Sequence, residues 1–434
     1  MPEDQPAVGG VPDSREAFTK PEPSPENFIL LHQSEPGSCG QRARCGCLVG
    51  GEHSLRVCMK YDGKMPRLAQ IILAMLFSAI FLSSAQPPHA PSGPAPKTHI
   101  HFIAADEVEW NYTPRGRDLT GVPHGENEAE ESSAISLAKG VTYLKAIYRE
   151  YTDGTFSVLK TRPPEWEHLG ILGPLIRAEV GDTVRIFFKN QTKLMCTMHP
   201  HGLAYAKDSE GAMYADGTTG AAKKDDAVPP GGSHTYTWTV PERSGPSEHD
   251  ASSIIWMYHS HFVEGRDMNT GLMGPIIISA RGTTKPDGSP KDVDKEFVTA
   301  YAIFDESLSW YFERNLAKHR KLAPNAPVPT SPKAYFVYSI NGLVEGNLPV
   351  LTMKKGDHVR WYMFGNTNLD DVHTPHWHGQ TVVSNHMRTD MIQMTPMGMA
   401  VADMIADNVG TWLFHCHVND HFEGGMQALY RVLP

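Results

Sequence analysis

From Thr98 onward the chain is written in short runs in which apolar and polar residues alternate, or in which β-branched and aromatic residues crowd together. Examples are HIHFIAA at 99–105, TVRIFFKN at 183–190, HTYTWTV at 234–240, IIWMYHSH at 254–261, HVRWYMF at 358–364 and GTWLFHCH at 410–417. A period of two sends successive side chains to opposite faces of a strand, and the Gly, Pro, Asn and Asp clusters between the runs supply turns. No long helical period competes with this pattern. It predicts an all-β protein of sandwich or barrel domains.

The runs are also written twice. Gly181-Asp182-Thr183-Val184-Arg185 leads to His199-Pro200-His201-Gly202, and Gly356-Asp357-His358-Val359-Arg360 leads to His376-Trp377-His378-Gly379. Later, Trp256-Met257-Tyr258-His259-Ser260-His261 is echoed by Trp412-Leu413-Phe414-His415-Cys416-His417. An internal repeat of this length implies two related domains. They are placed at 98–283 and 284–434, with the boundary in the polar stretch from Arg281 to Asp294.

Length and composition set the frame around them. The 434 residues allow two or three domains, and a hydrophobic content of 40% suffices for packed cores. Lys and Arg total 39 against 49 for Asp and Glu, a balance of -10, so no basic field draws the chain to nucleic acid or anionic lipid. Lys64-Met65-Pro66-Arg67, the apolar run Ile71 to Leu82 and then Ser83-Ser84-Ala85 read as a signal peptide over 65–85. That run is too short to span a bilayer. The expected mature chain is exported, to a periplasm or the extracellular space, and starts near Gln86. Residues 1–64 read as an upstream region, disordered or not translated, with initiation at Met59 or Met65. Residues 86–97 read as a Pro-rich linker. Cys39, Cys45, Cys47 and Cys58 lie in the leader without paired C-x-x-C spacing, leaving Cys196 and Cys416 in the exported part.

Residues two apart on a strand share a face, so each His-x-His pair offers two imidazoles to one location. Four such pairs would suit copper, zinc, iron or nickel. Cys416 narrows the choice, because alternation turns its thiolate away from His415 and His417. With His373 before it, His421 after it and Met426 beyond, it completes two imidazoles, a thiolate and a distant thioether, the blue-copper set adapted to electron transfer. An electron on the sulfur then has a covalent route through the backbone to His415 and His417.

On these motifs the chain resembles the multicopper oxidases over Thr98 to Pro434. It looks most like the two-domain small laccases, with the six-domain ceruloplasmin as a further relative. The resemblance implies two cupredoxin-type Greek-key β-barrels. It implies that His373, Cys416, His421 and Met426 hold a type 1 copper, that His199 and His376 hold type 2, and that His201, His259, His261, His378, His415 and His417 hold the type 3 pair. The count becomes about four coppers per chain. Ser260 and Cys196 stand where Cys416 and His373 would, so the first domain should lack a type 1 copper. The resemblance further implies a homotrimer, with each three-copper cluster completed between subunits.

Other candidates carry less. His99 and His101 lack a counterpart in the second domain and read as structural. Cys196 reads as a small buried apolar residue, with an extra copper ligand as the alternative. Met387, Met391, Met394, Met397, Met399 and Met404 read as core fillers or as a cuprous site. Asp420 and Asp390 are candidates for steering the donor or accepting its proton, and Glu210 for feeding protons to the cluster. The expected activity is one-electron oxidation of phenols or aromatic amines at the exposed edge of His373 or His421, coupled to reduction of dioxygen to water. Ferroxidase is the alternative, prompted by the ceruloplasmin-like stretches Gly173-Pro174-Leu175-Ile176 and Glu210-Gly211-Ala212. There Asp420 matches an iron ligand of ceruloplasmin, while Lys333 and Tyr338 replace a Glu and a His. Cuprous oxidase, copper nitrite reductase and a non-enzymatic copper carrier rank lower.

Overall fold

The computed structural model describes residues 94–123, 141–322, 331–366 and 371–434. The expected upstream region, the signal peptide and residues 86–93 of the linker lie outside them. The two halves of the described chain share one topology. In the first, Thr98–Asn111 pairs antiparallel with Thr142–Tyr151 and parallel with Thr183–Asn190, and Ser233–Thr239 and Ala204–Tyr205 complete a five-stranded sheet. A four-stranded sheet faces it, running Ile176–Glu179, Met273–Ser279, Ser253–His259, His199–Pro200. In the second half, Lys295–Asp305 likewise pairs antiparallel with Phe336–Ile340 and parallel with His358–Asn366 within a six-stranded sheet. Its companion runs Leu351–Lys354, Gln427–Leu433, Gly410–Cys416, Pro375–Trp377. These are the two cupredoxin-type barrels the motifs predict.

Strand alternation decides what each barrel buries. Val184, Ile186 and Phe188 point into the first core, with the residues between them partly or fully exposed. Lys295–Asp305 departs from this pattern, because residues 296–304 are all buried. Phe297, Tyr301 and Ile303 face the second core, while Val298, Ala300, Ala302 and Phe304 join a third cluster with Ile255, Met257, Met273 and Ile277 of the first half. The halves therefore pack through a continuous apolar seam. Among the described residues no helix is long and apolar enough to cross a membrane.

The repeated motifs land in equivalent registers. His199 lies opposite His259 on neighbouring strands, and His376 lies opposite His415. The glycine closing each His-x-His-Gly has positive φ, +74° at Gly202 and +72° at Gly379, and each packs on the tryptophan that opens the later motif. A Cβ on Gly202 would sit 2.2 Å from the Trp256 ring. Only glycine fits both the turn and the contact.

Candidate metal centre

Three donors converge beside the strand Gly410–Cys416. Cys416 Sγ lies 3.4 Å from His421 Nδ1 and 4.0 Å from His373 Nδ1, and all three residues are fully buried, as is Met426. The Cys416 amide donates to the Met426 carbonyl, which ties the thioether's residue to the thiolate's. The Thr374 amide also donates to Cys416 Sγ, at 3.3 Å. One soft sulfur and two ring nitrogens at this spacing suit copper. Burial and the neighbouring His421 push His373 down to about 3, so its ring is neutral and its lone pair free. Burial also acts to lower His421, but Cys416 and the Asp371 carboxylate outweigh it and the ring is raised.

The eight remaining candidate ligand histidines form two quartets. His199, His201, His259 and His261 have mutual ring contacts in the first half, and His376, His378, His415 and His417 in the second. Each quartet contains one pair of Nε2 atoms 3.0 Å apart, His201 with His259 and His378 with His415. Four rings have a fixed tautomer. His199 Nδ1 faces the Glu210 carbonyl at 2.7 Å, His376 the Asp390 carbonyl at 2.9 Å, His259 the Ser260 carbonyl at 3.1 Å, and His415 the Cys416 carbonyl at 2.7 Å. A carbonyl only accepts, so these Nδ1 atoms carry the protons and Nε2 is left to bind metal. Burial first, and neighbouring rings second, push His201 to about 4; burial also pushes His415 to about 4. Neutral imidazoles with paired, exposed lone pairs are what a copper cluster requires.

In the first half the counterpart of the sulfur site is filled with other chemistry. Ser260 Oγ donates to Asp267 at 2.7 Å, and Asp267 also accepts from the Phe262 and Val263 amides and from Trp310 Nε1. The Ser260 amide reaches the Leu272 carbonyl as the Cys416 amide reaches that of Met426, so a leucine occupies the thioether position. Cys196 is free and buried in the first core, and burial raises its thiol pKa.

Several expectations change. His373 and His421 are 0% exposed, so neither offers the open imidazole edge foreseen for electron entry. The Tyr338 ring lies 5.2 Å from that of His421, and Asp371 accepts from His421 Nε2 at 2.8 Å. Asp371 lies two residues before His373 in an irregular segment, and its side chain turns to His421. Glu210 and Asp390 meet the quartets through their carbonyls. The Glu210 carboxylate is held by Lys207 at 2.5 Å and Tyr214 at 3.0 Å. Asp420 does lie beside His421, where Lys333 Nζ approaches it at 3.5 Å. His99 and His101 bind Asp182 and Glu150, at 2.7 and 2.9 Å, as structural residues. Of the methionines, Met394 and Met404 fill the core while Met387 and Met391 are exposed.

Comparison with known proteins agrees with this chemistry. Two multicopper oxidase family models match, one over residues 169–283 and one over 319–434. Hephaestin of Rattus norvegicus is 42% identical over 76% of this chain and 29% of its own length. Ferroxidase HEPHL1 of Homo sapiens is 39% identical over 77% of this chain and 29% of its own, and ceruloplasmin of Mus musculus 40% identical over 76% and 31%. The chain thus spans about three tenths of the length of these curated relatives. In fold it is similar to the blue copper oxidase from Nitrosomonas europaea, with a TM-score of 0.50 at 18% identity, over 77% of this chain and 86% of that one. With the family models falling on both halves and the ligand motifs present in each, the chain belongs to the multicopper oxidases.

Proposed function

We propose that the protein oxidises ferrous ion one electron at a time and reduces dioxygen to water, with Cys416 as the electron entry point. The observation that carries this reading is the placement of Cys416: its sulfur faces His373 and His421, while its strand neighbours His415 and His417 belong to a histidine quartet. Copper bound at these donors would supply one-electron transfer at the sulfur and the four electrons that dioxygen needs. The backbone from Cys416 to His415 and His417 is the route between them. The Glu210 and Asp390 carbonyls orient His199 and His376, and Asp371 orients His421.

Ferrous ion is preferred over the phenols and aromatic amines expected from the motifs for two reasons. The relatives include a protein named as a ferroxidase. In addition, the surface over His421 presents the carboxylates of Asp371 and Asp420 rather than an open ring edge, and hard oxygen donors suit a ferrous ion better than a bulky aromatic. The phenol reading is kept as second, favoured by the Lys333 ammonium beside Asp420, which opposes a cation.

Each quartet makes its ring contacts within its own half, which supports a cluster completed between copies of the chain, as in a homotrimer. Export of the mature chain and a content of about four coppers belong to the same reading. The test is oxygen uptake by copper-loaded protein with ferrous ion and a methoxyphenol at matched concentrations. Faster turnover of iron is expected; faster turnover of the phenol reverses the choice, and uptake with neither overturns the oxidase reading.

A further inference from the structure

We propose that Gln427 positions His421 and Met426, the two expected copper ligands beyond Cys416, and that Thr120 of the first half holds Gln427 in place. The inference rests on the copper-oxidase reading above and concerns how readily the sulfur site is reduced. Gln427 opens the strand Gln427–Leu433, directly follows Met426 and is 1% exposed. Its Nε2 donates to the carbonyl of Phe422, the residue after His421, at 2.7 Å. One buried amide therefore closes the loop that carries both ligands.

The backbone already ties this loop, because the Gly425 amide donates to the Phe422 carbonyl and the Met426 amide to that of His421, each at 3.0 Å. The side chain adds a further tie, and the first half offers an internal comparison. Met273 lies opposite His259 there, in the register that sets Gln427 opposite His415. In the half where Ser260 replaces the sulfur, that position is thus an apolar residue, packed into the seam. Burying an amide costs free energy unless its polar atoms are paired. The amide occurs in the half that carries the sulfur site, and there both of its polar atoms have partners.

The second partner comes from the other half. Gln427 Oε1 accepts from Thr120 Oγ1 at 2.9 Å, a hydroxyl shared with Asp118. The Thr120 segment is itself anchored, with the Leu119 amide donating to the Glu345 carbonyl at 3.0 Å, and the Gly346 amide holds the Gln427 carbonyl at 2.9 Å. On the opposite side of the loop the Phe422 ring lies 4.6 Å from that of His415, a member of the second quartet. Gln427 is a positioning residue, acting through this loop. A thioether held near bound copper favours the oxidised ion, so a loop that lets Met426 move away makes the site easier to reduce.

The test measures the blue absorption band and the reduction potential of the copper-loaded chain, comparing wild type with Gln427→Leu and Thr120→Val. Absence of a blue band in wild type would bring down the copper-oxidase reading itself. With the band present, Gln427→Leu is expected to shift its energy and to raise the ratio of reduced to oxidised site at a fixed solution potential about tenfold. That ratio corresponds to about 59 mV for one electron. Thr120→Val is expected to move both readouts in the same direction by less. A Gln427→Leu protein that loses stability but keeps the wild-type band and potential overturns the proposal, since Gln427 would then serve the fold alone. Thr120→Val leaves the second half unaltered and decides the question should Gln427→Leu fail to take up copper: a band and potential equal to those of wild type then overturn it.

Discussion

Lys333 Nζ sits 3.5 Å from Asp420 Oδ2, with both side chains about half exposed, immediately beside the buried ligand His421. The pair puts a cation where a ferrous donor would approach and occupies the carboxylate that would receive it. Exposed pairs of this kind are worth about 0–1 kcal/mol, so the barrier they raise is modest. Lys333→Ala is expected to lower KM for ferrous ion by roughly two- to fivefold at low salt, with the difference shrinking as salt is added. Turnover of a neutral phenol should not change. An unaltered KM for iron would mean that the donor enters elsewhere.

Asp371 accepts from His421 Nε2 at 2.8 Å, so it fixes the tautomer that leaves Nδ1 facing Cys416. Burial acts to raise its own carboxyl, but the bond from His421, the charge of that ring and the Val372 amide together outweigh burial and lower it. Asp371→Ala removes both the orientation and the negative charge behind the ring. Copper affinity at the sulfur site is expected to fall about 10- to 100-fold, and the blue absorption to shift in energy. Spectral titration with copper checks both, and an identical spectrum would show that His421 is held by its packing on Tyr338 alone.

Much of this architecture was legible because it is local and repeated. Alternation at Val184, Ile186 and Phe188 reports the strand, and the spacing of His415, Cys416 and His417 reports which side chains share a face. The seam between the halves was not legible, because Val298, Ala300, Ala302 and Phe304 read as an ordinary buried strand until their partners are known. Asp371 escaped for a related reason. It is a single acid next to a ligand motif, and only the fold of the loop decides whether it turns toward the ring of His421. At Glu210 the position near His199 was readable, but the hydrogen bond to that ring is made by the carbonyl, which every residue has and no sequence pattern marks.

Cys416→Ser separates the two kinds of site. A hydroxyl is a poor ligand for copper at this position, and the set loses its only sulfur anion. The blue colour should vanish, whereas both histidine quartets keep their Nε2 geometry and their copper. Copper analysis is expected to fall by about one ion per chain, and oxygen uptake to stop with any donor. Retention of the blue colour would remove Cys416 from the entry site.

His168 makes stability depend on pH at the seam between the halves. It is buried in the first half, its Nδ1 faces the Glu165 carbonyl at 2.8 Å, and its Nε2 accepts from the Val298 amide of the second half at 3.1 Å. Burial lowers it from 6.5 to about 4. A base depressed on folding binds more protons when unfolded, so its contribution is complete above pH 6.5 and is lost as pH falls toward 4. The loss amounts to about 3 kcal/mol over that window. Protonation also deprives the Val298 amide of its acceptor. Denaturant melts of wild type and His168→Gln at about pH 7 and about pH 4.5 should therefore converge: the variant is less stable at neutral pH, and the gap narrows in acid. Parallel pH profiles for the two proteins would show that His168 is not the group through which acid loosens the seam.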